Sequence, residues 1–484
     1  MSIQKRAVLF MSLYLSMAPW CMTPVQSQEM KQAGKPGLFS LGANRQVSIG
    51  SITADNFWLL DDASRYQEMY TREFNIVTPE NQLKFRHIQP QRDVFTFAAA
   101  DRHVRFAEQH DIAVHGHTLI WHRSLPEWLL ESPLPRSDMI AIMNHHIDTV
   151  MGHYKGRIKI WDVVNEPITG KGKLRHTVWH DRIGEEYIEL ALRRARQADP
   201  SAKLLINDYN VATINRKSTK LYNLTKQLLE RGVPLDGIGF QMHLSVHDGL
   251  DFESFSENLQ RFSDLGLALF ITELDVAIHT PVTTAKLQRQ ASLYRDIFLR
   301  LLSQKTVKSI QMWGFTDKYS WIDSHFPGHC CGLIYDKNWG KKLSYTAISE
   351  ALVSEPQYFP QTVTLPAGSF DDAHGVDTDG AIVFNVDNGD WIQFNNVDLK
   401  NGFAKLRIRY GNGQLQPGNW RAEVRLDSPS GVEIAKIPIV PTGGWDVFRD
   451  KTATITGGSG RHTVYVVFKG DRGAGHFDWV RFEE

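Results

Sequence analysis

Residues 158–167 read IKIWDVVNEP, a run of strand-forming residues that ends in the glutamate Glu166. Residues 267–275 read LALFITELD and place Glu273 at the end of a second such run. Parallel α/β barrels keep their functional groups at the carboxyl ends of the strands, on a rim built from the strand-to-helix loops. The two glutamates are 107 positions apart, which is about three strand–helix units of ~31 residues each. They are therefore predicted to face each other across the mouth of one barrel.

Short apolar runs of this kind recur between residues 45 and 320, and helix-like amphipathic stretches separate them. The eight runs are 46–51, 76–80, 113–117, 158–166, 204–208, 237–243, 269–273 and 309–316. Strands that alternate with helices form parallel sheets, and eight such units predict a closed (β/α)8 TIM barrel. An open doubly wound sheet would instead carry a glycine-rich phosphate loop after an early strand, and the sequence has none.

An all-β domain is predicted after the barrel. Helical periodicity ends near residue 353, and residues 354–364 read as a proline-punctuated linker. The alternating apolar runs beyond it are 381–386, 391–394, 405–410, 421–426, 432–439, 462–468 and 479–482. Short strands at this spacing are typical of a β-sandwich. We therefore predict a barrel at residues 40–353 and a jelly-roll-like sandwich at residues 365–484.

Composition and the N-terminus bear on the compartment. Lys+Arg and Asp+Glu both number 54, so the net charge indicates no nucleic-acid or anionic-membrane partner. Lys5 and Arg6 precede an apolar stretch up to about Met17, and VQS at 25–27 fits a cleavage site. This pattern predicts a signal peptide at residues 1–27, too short to span a bilayer, and no other segment approaches a membrane span. We expect a soluble monomer that is secreted or periplasmic.

The sequence has three cysteines, of which Cys21 lies in the predicted signal peptide. Cys330 and Cys331 are adjacent, so in an exported protein they form either a vicinal disulfide or two separate thiols, and both alternatives stay open. In both cases the hydrophobic cores, rather than a disulfide framework, must stabilise the fold.

A pair of facing carboxylates is what glycoside hydrolysis requires. One acid protonates the leaving oxygen, and the second carboxylate lies ~5–5.5 Å away in retaining enzymes or ~6.5–9.5 Å away in inverting ones. Glu166 and Glu273 fit these roles, and the amide of Asn165 could bond a sugar 2-hydroxyl, a contact that strengthens in the transition state. Indole faces stack on pyranose rings, and the tryptophans near strand ends are Trp121, Trp313 and Trp321.

Histidines near the predicted rim allow a second interpretation, a zinc site. His115, His117 and His122 lie close in sequence, and His243 and His247 could add ligands. No nearby carboxylate completes a recognised ligand spacing, and a strand places His115 and His117 on one face, where neutral imidazoles can donate to sugar hydroxyls. We therefore expect no metal and no cofactor.

Residues 40–353 resemble glycoside hydrolase family 10, the (β/α)8 endo-xylanases, across nearly the whole predicted barrel. The motifs that carry the resemblance are TPEN at 78–81 with Lys84, GHTLIWH at 116–122, WDVVNEP at 161–167, NDYN at 207–210, GFQMH at 239–243, ITELD at 271–275 and WGFTD at 313–317. Phe85 departs from the family, which usually has tryptophan after the lysine.

The resemblance implies a retaining mechanism in which Glu166 is the acid/base and Glu273 is the nucleophile. It further implies that His243 hydrogen-bonds the nucleophile. The residues implied to line the glycone subsites are Glu80, Asn81, Lys84, His117, Trp121, Asn165, Gln241, Trp313 and Trp321. The implied substrate is xylan or its xylooligosaccharides.

Residues 365–484 look like carbohydrate-binding module family 6. The motifs are DNGDW at 387–391, RLDSP at 425–429, TGGW at 442–445 and FDW at 477–479. That family holds a sugar between two loop aromatics, and the resemblance implies Trp445 as one of them. Asn385 stands where the family usually has tyrosine, and His476 stands where it usually has asparagine. We expect a sugar site at Trp445 and His476 with weak or altered binding.

The sequence therefore predicts a retaining endo-β-1,4-xylanase with an appended sugar-binding domain. Two alternatives remain open: a family member that acts on other β-1,4-glycans, and a polysaccharide-binding protein without catalytic activity. Both acids are intact, whereas degenerate barrels tend to lose one of them.

Overall fold

The computed structural model describes residues 36–131 and 133–484. The predicted signal peptide at residues 1–27 lies outside this part of the chain. Every helix that the structure describes falls short of the length and apolarity that crossing a membrane requires.

A closed ring of parallel strands forms the centre of the first domain. The strands that the structure describes up to residue 330 are β1 (Ser48–Thr53), β2 (Ile76–Pro79), β3 (Ala113–Ile120), β4 (Ile160–Asn165), β5 (Lys203–Asp208), β6 (Gly237–Phe240), β7 (His243–Ser245), β8 (Ala268–His279), β9 (Val307–Met312) and β10 (His329–Cys330). The ring runs from β1 to β6 and on through β8 and β9, and β9 pairs with β1 to close it. The predicted (β/α)8 barrel and its eight strands are confirmed. β7 and β10 are additional short strands that pair with β8 beyond the ring.

Helices surround the ring. Those of the described chain are α1 (Leu38–Gly42), α2 (Ala63–Glu73), α3 (Phe85–Ile88), α4 (Ala98–Gln109), α5 (Glu127–Glu131), α6 (Arg136–His153), α7 (Val178–Ile183), α8 (Tyr187–Ala198), α9 (Arg216–Glu230), α10 (Phe252–Asp264), α11 (Thr284–Ser303), α12 (Ile322–His325) and α13 (Leu343–Val353).

Side-chain caps fix where the helices after the functional loops begin. Asn215 accepts from the Ser218 backbone N–H at 3.0 Å, and the Ser218 hydroxyl oxygen accepts from the Asn215 N–H at 2.9 Å, which forms a capping box on α9. Asp251 caps α10 by accepting from the Ser254 N–H at 3.1 Å. These caps end the loops that follow β5 and β7.

One buried carboxylate ties together the elements that close the barrel. Glu73, at the end of α2, accepts hydrogen bonds from the Leu38 N–H at 3.0 Å, the Tyr335 hydroxyl at 2.8 Å and the Tyr345 hydroxyl at 2.9 Å. It also pairs with the Arg72 guanidinium at 2.8 Å. The first and last helices of the barrel, α1 and α13, are thereby joined to α2.

Two antiparallel sheets form the second domain. Their strands, as far as the structure describes them, are β11 (Thr362–Pro366), β12 (Asp372–His374), β13 (Asp377–Thr378), β14 (Val383–Phe384), β15 (Trp391–Asp398), β16 (Lys405–Asn412), β17 (Trp420–Leu426), β18 (Val432–Ile439), β19 (Gly444–Thr454), β20 (Arg461–Lys469) and β21 (His476–Glu483). One sheet has the order β13-β14-β21-β16-β19 with β11 beside β21, and the other has the order β12-β15-β20-β17-β18. A hydrophobic core separate from that of the barrel lies between them, which confirms the predicted sandwich.

Several sandwich strands carry no alternation that sequence could reveal. β19 runs along the edge of its sheet and is exposed at most positions, so it lacks the apolar–polar pattern of a half-buried strand. β12 and β13 contain only three and two residues. β11 begins at Thr362, within the segment expected to be the linker.

Polar contacts join the sandwich to the barrel. Arg481 of β21 donates to Asp251 Oδ2 at 2.7 Å and to the Thr364 hydroxyl at 2.8 Å. The carboxylate of Glu257 in α10 accepts from the Thr364 backbone N–H at 2.6 Å and from the Thr362 hydroxyl at 3.2 Å. Burial raises the pKa of Glu257, and these hydrogen bonds oppose that rise. Asp251, whose carboxylate caps α10, therefore also binds the second domain through Arg481.

Replacing Glu73 by alanine should lower the free energy of unfolding by roughly 2–4 kcal/mol, because two buried hydroxyls, a backbone N–H and Arg72 lose their shared acceptor. Urea denaturation measures this change. Glu68→Ala, at an exposed position of the same helix, is the matched control and should leave stability nearly unchanged. Equal stability of the two variants would contradict the role given to Glu73.

Candidate active site

The two predicted glutamates lie where the strands of the ring end. Glu166 directly follows β4, and Glu273 lies within β8, close to the point where β8 stops pairing with the ring strands β6 and β9. Glu166 has a φ of 54°, in the left-handed region that non-glycine residues seldom adopt, and its N–H donates to the Asn207 carbonyl at 2.8 Å. Such backbone strain persists only where the surrounding structure enforces it, and it is concentrated at functional sites.

Glu273 is almost completely buried, and each carboxylate oxygen has a hydrogen-bond partner. Asn207 Nδ2 donates to Oε1 at 2.8 Å, and His243 Nε2 lies 3.1 Å from Oε2. The Thr272 hydroxyl donates to Asn207 Oδ1 at 2.8 Å and so fixes the orientation of that amide. A Cβ on Gly239 would come within 2.3 Å of Asn207 Oδ1, so glycine at this position leaves room for the amide.

His243 lies between two carboxylates. Its Nδ1 is 2.9 Å from Asp275 Oδ2, which also accepts from the Trp321 indole N–H at 2.8 Å. Burial alone would lower the pKa of His243, but Asp275 and Glu273 raise it to about 10. Burial would likewise raise the pKa of Glu273, but the hydrogen bond from His243 and the neighbouring imidazoles leave it lowered. His243 is thus an imidazolium at neutral pH, and it keeps Glu273 ionised in a buried position.

Glu166 has a more open environment. Gln241 Nε2 lies 3.3 Å from its Oε1, and His122 Nε2 lies 3.8 Å from its Oε2. Burial and then the nearby cations, with Arg175 first among them, lower the pKa of His122 to about 4, so this imidazole is neutral beside Glu166. Arg175 Nε donates to the Glu166 carbonyl at 3.0 Å and holds the loop after β4. The two glutamates therefore have different surroundings: Glu273 is bonded to an imidazolium, and Glu166 borders a neutral imidazole and an amide.

Three amides occupy the space between the carboxylates. The Asn165 amide lies 3.1 Å from Asn207 Nδ2 and 3.3 Å from Gln241 Nε2. The Trp121 indole nitrogen is a further 3.3 Å neighbour of Asn165. Asn207 in turn contacts Glu273, and Gln241 contacts Glu166. The structure thus brings Asn165, Gln241 and Trp121 to the glutamates, as the resemblance implied.

His115 and His117 are bound to Asp162 in the barrel interior. His115 Nε2 lies 3.0 Å from Asp162 Oδ1, and His117 Nδ1 lies 2.8 Å from Oδ2. Gln311 Nε2 donates to His115 Nδ1 at 2.8 Å, so both ring nitrogens of this histidine are engaged. Burial would raise the pKa of Asp162, but the two imidazoles lower it to about 2.

This arrangement does not fit the zinc interpretation. Among residues 36–131 and 133–484, the one grouping of three metal-type ligands is His176, His180 and Asp181, and none of these is a histidine that the zinc interpretation used. The histidines that it did use include His117, whose Nδ1 is bonded to Asp162, and His243, whose two ring nitrogens are both bonded to carboxylates.

A buried lysine lies on the β2 and β3 side of the site. Lys84 is buried, its ammonium donates to Asn81 Oδ1 at 2.9 Å, and it lies 5.2 Å and 5.8 Å from the Trp121 and Trp313 ring centroids. Burial lowers the pKa of Lys84, and carboxylates led by Glu273 oppose this. Burial and Asp55 raise the pKa of Glu80 to about 7, against the effect of Lys84. Glu80 can therefore donate or accept a hydrogen bond near neutral pH.

Cys330 and Cys331 form a vicinal disulfide in the structure, the first of the two alternatives that the sequence left open. The Cys331 carbonyl accepts from Gln290 Nε2 at 2.7 Å and from Lys342 Nζ at 2.6 Å. Cys330 pairs with Ile278 of β8. The segment that carries Trp321 is thus fastened next to the extended end of β8.

Sequence reasoning did not assign roles to several residues that complete the site. Asn207 and Asp275 belong to recognised motifs, but only the structure shows that one binds Glu273 and the other binds His243. Asp162 could have been noticed as a charged residue inside the apolar run of β4. Arg175 and Tyr209 come from loops whose positions sequence does not predict.

In the sandwich, Trp445 and His476 come together as expected. Their ring centroids are 5.4 Å apart, and Trp445 is 38% exposed. The Phe384 ring lies 5.9 Å from His476 and adds an aromatic group that sequence reasoning missed. Asn385 donates to Asp377 at 2.6 Å and is therefore engaged within the loops.

Two parts of the chain match known protein families. Residues 40–351 match the family described as glycosyl hydrolase family 10. The chain belongs to glycosyl hydrolase family 10. Residues 367–484 match the carbohydrate binding module of family 6. The predicted enzyme class, a glycoside hydrolase, and both predicted resemblances are confirmed.

Relatives and solved structures named as xylanases are similar to this chain. Endo-1,4-beta-xylanase B of Thermotoga neapolitana is 46% identical over 313 residues, which cover 64% of this chain and 90% of that protein. The crystal structure of native xylanase 10B from Thermotoga maritima is similar with a TM-score of 0.65 and 47% identity, covering 65% of this chain and 98% of that one. Xylanase 10B from Thermotoga petrophila, in complex with xylobiose, has a TM-score of 0.65 and 46% identity, covering 66% of this chain and 98% of its own.

Replacing His243 by asparagine should move the acidic limb of the pH profile of kcat/KM upward by about one to three pH units. The imidazolium lowers the pKa of Glu273, activity is lost as the pH falls through that pKa, and removal of the cation raises it. Kinetics with an aryl xylobioside between pH 3 and pH 9 measure the limb. His247→Ala, at an exposed position of the following loop, should leave it in place; an unmoved limb in His243→Asn would refute the electrostatic role.

Proposed function

We propose that Glu166 and Glu273 are the acid/base and the nucleophile of this glycoside hydrolase, an endo-1,4-β-xylanase that acts with retention of configuration. The observation that carries the assignment is the different environment of the two carboxylates. Glu273 is buried between Asn207 and the His243 cation, and Glu166 borders neutral groups. The xylanase names of the relatives supply the substrate class.

In the first step, Glu166 donates a proton to the glycosidic oxygen while Glu273 attacks the anomeric carbon and forms a glycosyl ester. Neutralisation of Glu273 in that ester removes one of the two anions that hold the His243 proton. In the second step, Glu166 takes a proton from water, which displaces Glu273 with a second inversion and so restores the β configuration.

The amides between the carboxylates suit the sugar that reacts. Asn165 and Gln241 lie between Glu166 and the nucleophile's partner Asn207, where a 2-hydroxyl of the sugar next to the scissile bond would be placed. Lys84, Asn81 and Glu80 would bind the next hydroxyls on the glycone side, with tryptophan faces beside them.

The sandwich would supply a second attachment to polysaccharide. A linked binder raises the effective concentration of the barrel at an insoluble surface. We propose that the sandwich binds polysaccharide through the cluster of Trp445, His476 and Phe384.

We also propose that the protein acts outside the cytoplasm after removal of residues 1–27. We further propose that the protein acts as a monomer. Support for export comes from the N-terminal sequence pattern and from the polymeric substrate, which must be cleaved before uptake.

The two catalytic variants should differ according to the leaving group. Glu166→Ala should lose about 10²–10⁴-fold of kcat/KM on xylan but little on a dinitrophenyl xylobioside, whose leaving group needs no proton, whereas Glu273→Ala should lose activity on both. Azide should rescue Glu166→Ala with formation of a β-glycosyl azide and Glu273→Ala with formation of an α-glycosyl azide. Equal losses on the two substrates would show that the roles are wrongly assigned.

Treatment with a chelator should leave the rate on xylan unchanged, because the proposed steps use only carboxylates and water. The control is the same enzyme dialysed against buffer and then assayed with added Zn²⁺. Loss of activity with the chelator and recovery with Zn²⁺ would restore the zinc interpretation.

Trp445→Ala should reduce activity on insoluble xylan by about three- to tenfold, the effect of one lost aromatic contact with sugar, and should spare soluble xylotriose. The release of reducing sugar from both substrates measures the effect. Val447→Ala, at an exposed position two residues further along the same strand, is the matched control. Unchanged activity of Trp445→Ala on insoluble xylan would place the sandwich's binding surface elsewhere.

A further inference from the structure

A groove of about 570 Å³ lies where the barrel meets the sandwich. Its barrel wall comes from the loops that follow β4, β5 and β7, and its sandwich wall comes from β11, β21 and neighbouring loops. Among the residues that line it are Asn210, Lys217, Asp251, Pro366, Trp479 and Arg481. The volume falls within the range of sites that hold small molecules or short chain segments.

The groove begins on the Glu166 side of the catalytic site. Arg175 links the Glu166 carbonyl, at 3.0 Å from its Nε, to the Tyr209 hydroxyl, at 3.0 Å from its Nη2. The Lys217 ammonium lies 3.0 Å from the centroid of the Tyr209 ring, and Lys217 and Asn210 both line the groove. Because Glu166 is the proposed acid that protonates the leaving group, the leaving part of a substrate extends from this side.

The two walls are fixed relative to each other. Arg481 donates to Asp251 at 2.7 Å across the junction and to Thr364 at 2.8 Å within the sandwich. Arg216, which also lines the groove, donates from its Nη1 to the Asp379 carbonyl of the sandwich at 2.6 Å. A groove that is already formed avoids the cost of ordering its walls when it binds a ligand.

The lining suits a neutral sugar chain. Trp479 is half-buried beside its strand partner Pro366, with the Arg481 guanidinium 4.3 Å from its ring centroid, so it offers a supported apolar surface. Asn210 and Thr213 bring an amide and a hydroxyl to the same groove. The charges of Arg481 and Lys217 are already paired with Asp251 and Asp208, which leaves these cations little capacity to select an anion. Indole together with neutral polar groups is the combination that binds sugar rings.

We propose that this groove is a distal binding site for the leaving-group part of a β-1,4-xylan chain, so that barrel and sandwich bind one chain together. The proposal rests on the proposed function, because the direction of the chain follows from Glu166 as the acid. It gives the sandwich a role in substrate length selection that is distinct from attachment through Trp445.

The test compares kcat/KM for xylooligosaccharides from xylotriose to xylodecaose, in the full chain and in Trp479→Ala. The variant should match the wild type on short substrates that end before the groove and should lose about three- to tenfold on long ones, the effect of one stacking contact. Reducing-end labelling should show that wild-type cleavage of long substrates leaves more sugars on the leaving-group side than cleavage by the variant does.

Two further variants separate binding from folding. Trp479→Tyr keeps an aromatic face and should restore most of the loss, whereas Trp391→Ala removes a half-buried tryptophan from the other sheet and should show no length-dependent loss. A loss in Trp479→Ala that is equal at every length, or no loss at any length, would overturn the proposal while leaving the xylanase function intact. A wild type that cleaves no xylooligosaccharide would overturn both.

Discussion

The bond between His243 and Glu273 is the interaction on which the rest of the site depends. A carboxylate as buried as that of Glu273 would ordinarily be protonated and would then be a poor nucleophile. The imidazolium prevents this, and it is itself kept charged by Asp275, 2.9 Å away on its other side. One cation between two anions thus places a reactive anion in a site that largely excludes water.

The barrel stabilises this arrangement of charges because many polar groups converge there in fixed positions. Next to Glu166 and Glu273, hydrogen bonds in the barrel interior join Asp162, His115, His117 and Gln311. Polar networks of this kind are stabilising only when nearly every member has a partner. The strand ends therefore act as a rigid base, and the loops above them supply the groups that meet substrate on either side.

Much of the fold and of the candidate site could be predicted from the sequence. The features that could not be predicted have identifiable physical reasons. The eight barrel strands follow from apolar runs of the right period, and the two glutamates follow from their positions at strand ends. The partners of those glutamates depend on which strands become neighbours and on side-chain rotamers, so the roles of Asn207 and Asp275 emerged only from the structure. The edge strand β19 could not be predicted because exposed strands lack an apolar–polar periodicity. The groove between the domains could not be predicted because its lining comes from segments that are distant in sequence.

In the proposed mechanism Glu273 becomes covalently bound to the sugar, and trapping of that glycosyl-enzyme intermediate is a direct test. A 2-deoxy-2-fluoro xylobioside with a dinitrophenolate leaving group should inactivate the enzyme, since the fluorine slows both steps and the good leaving group preserves the first. Mass spectrometry of the digested protein should then locate the fluoroxylobiosyl group on the peptide that contains Glu273. A label on Glu166, or turnover through inversion with no covalent species, would show that Glu273 is not the nucleophile.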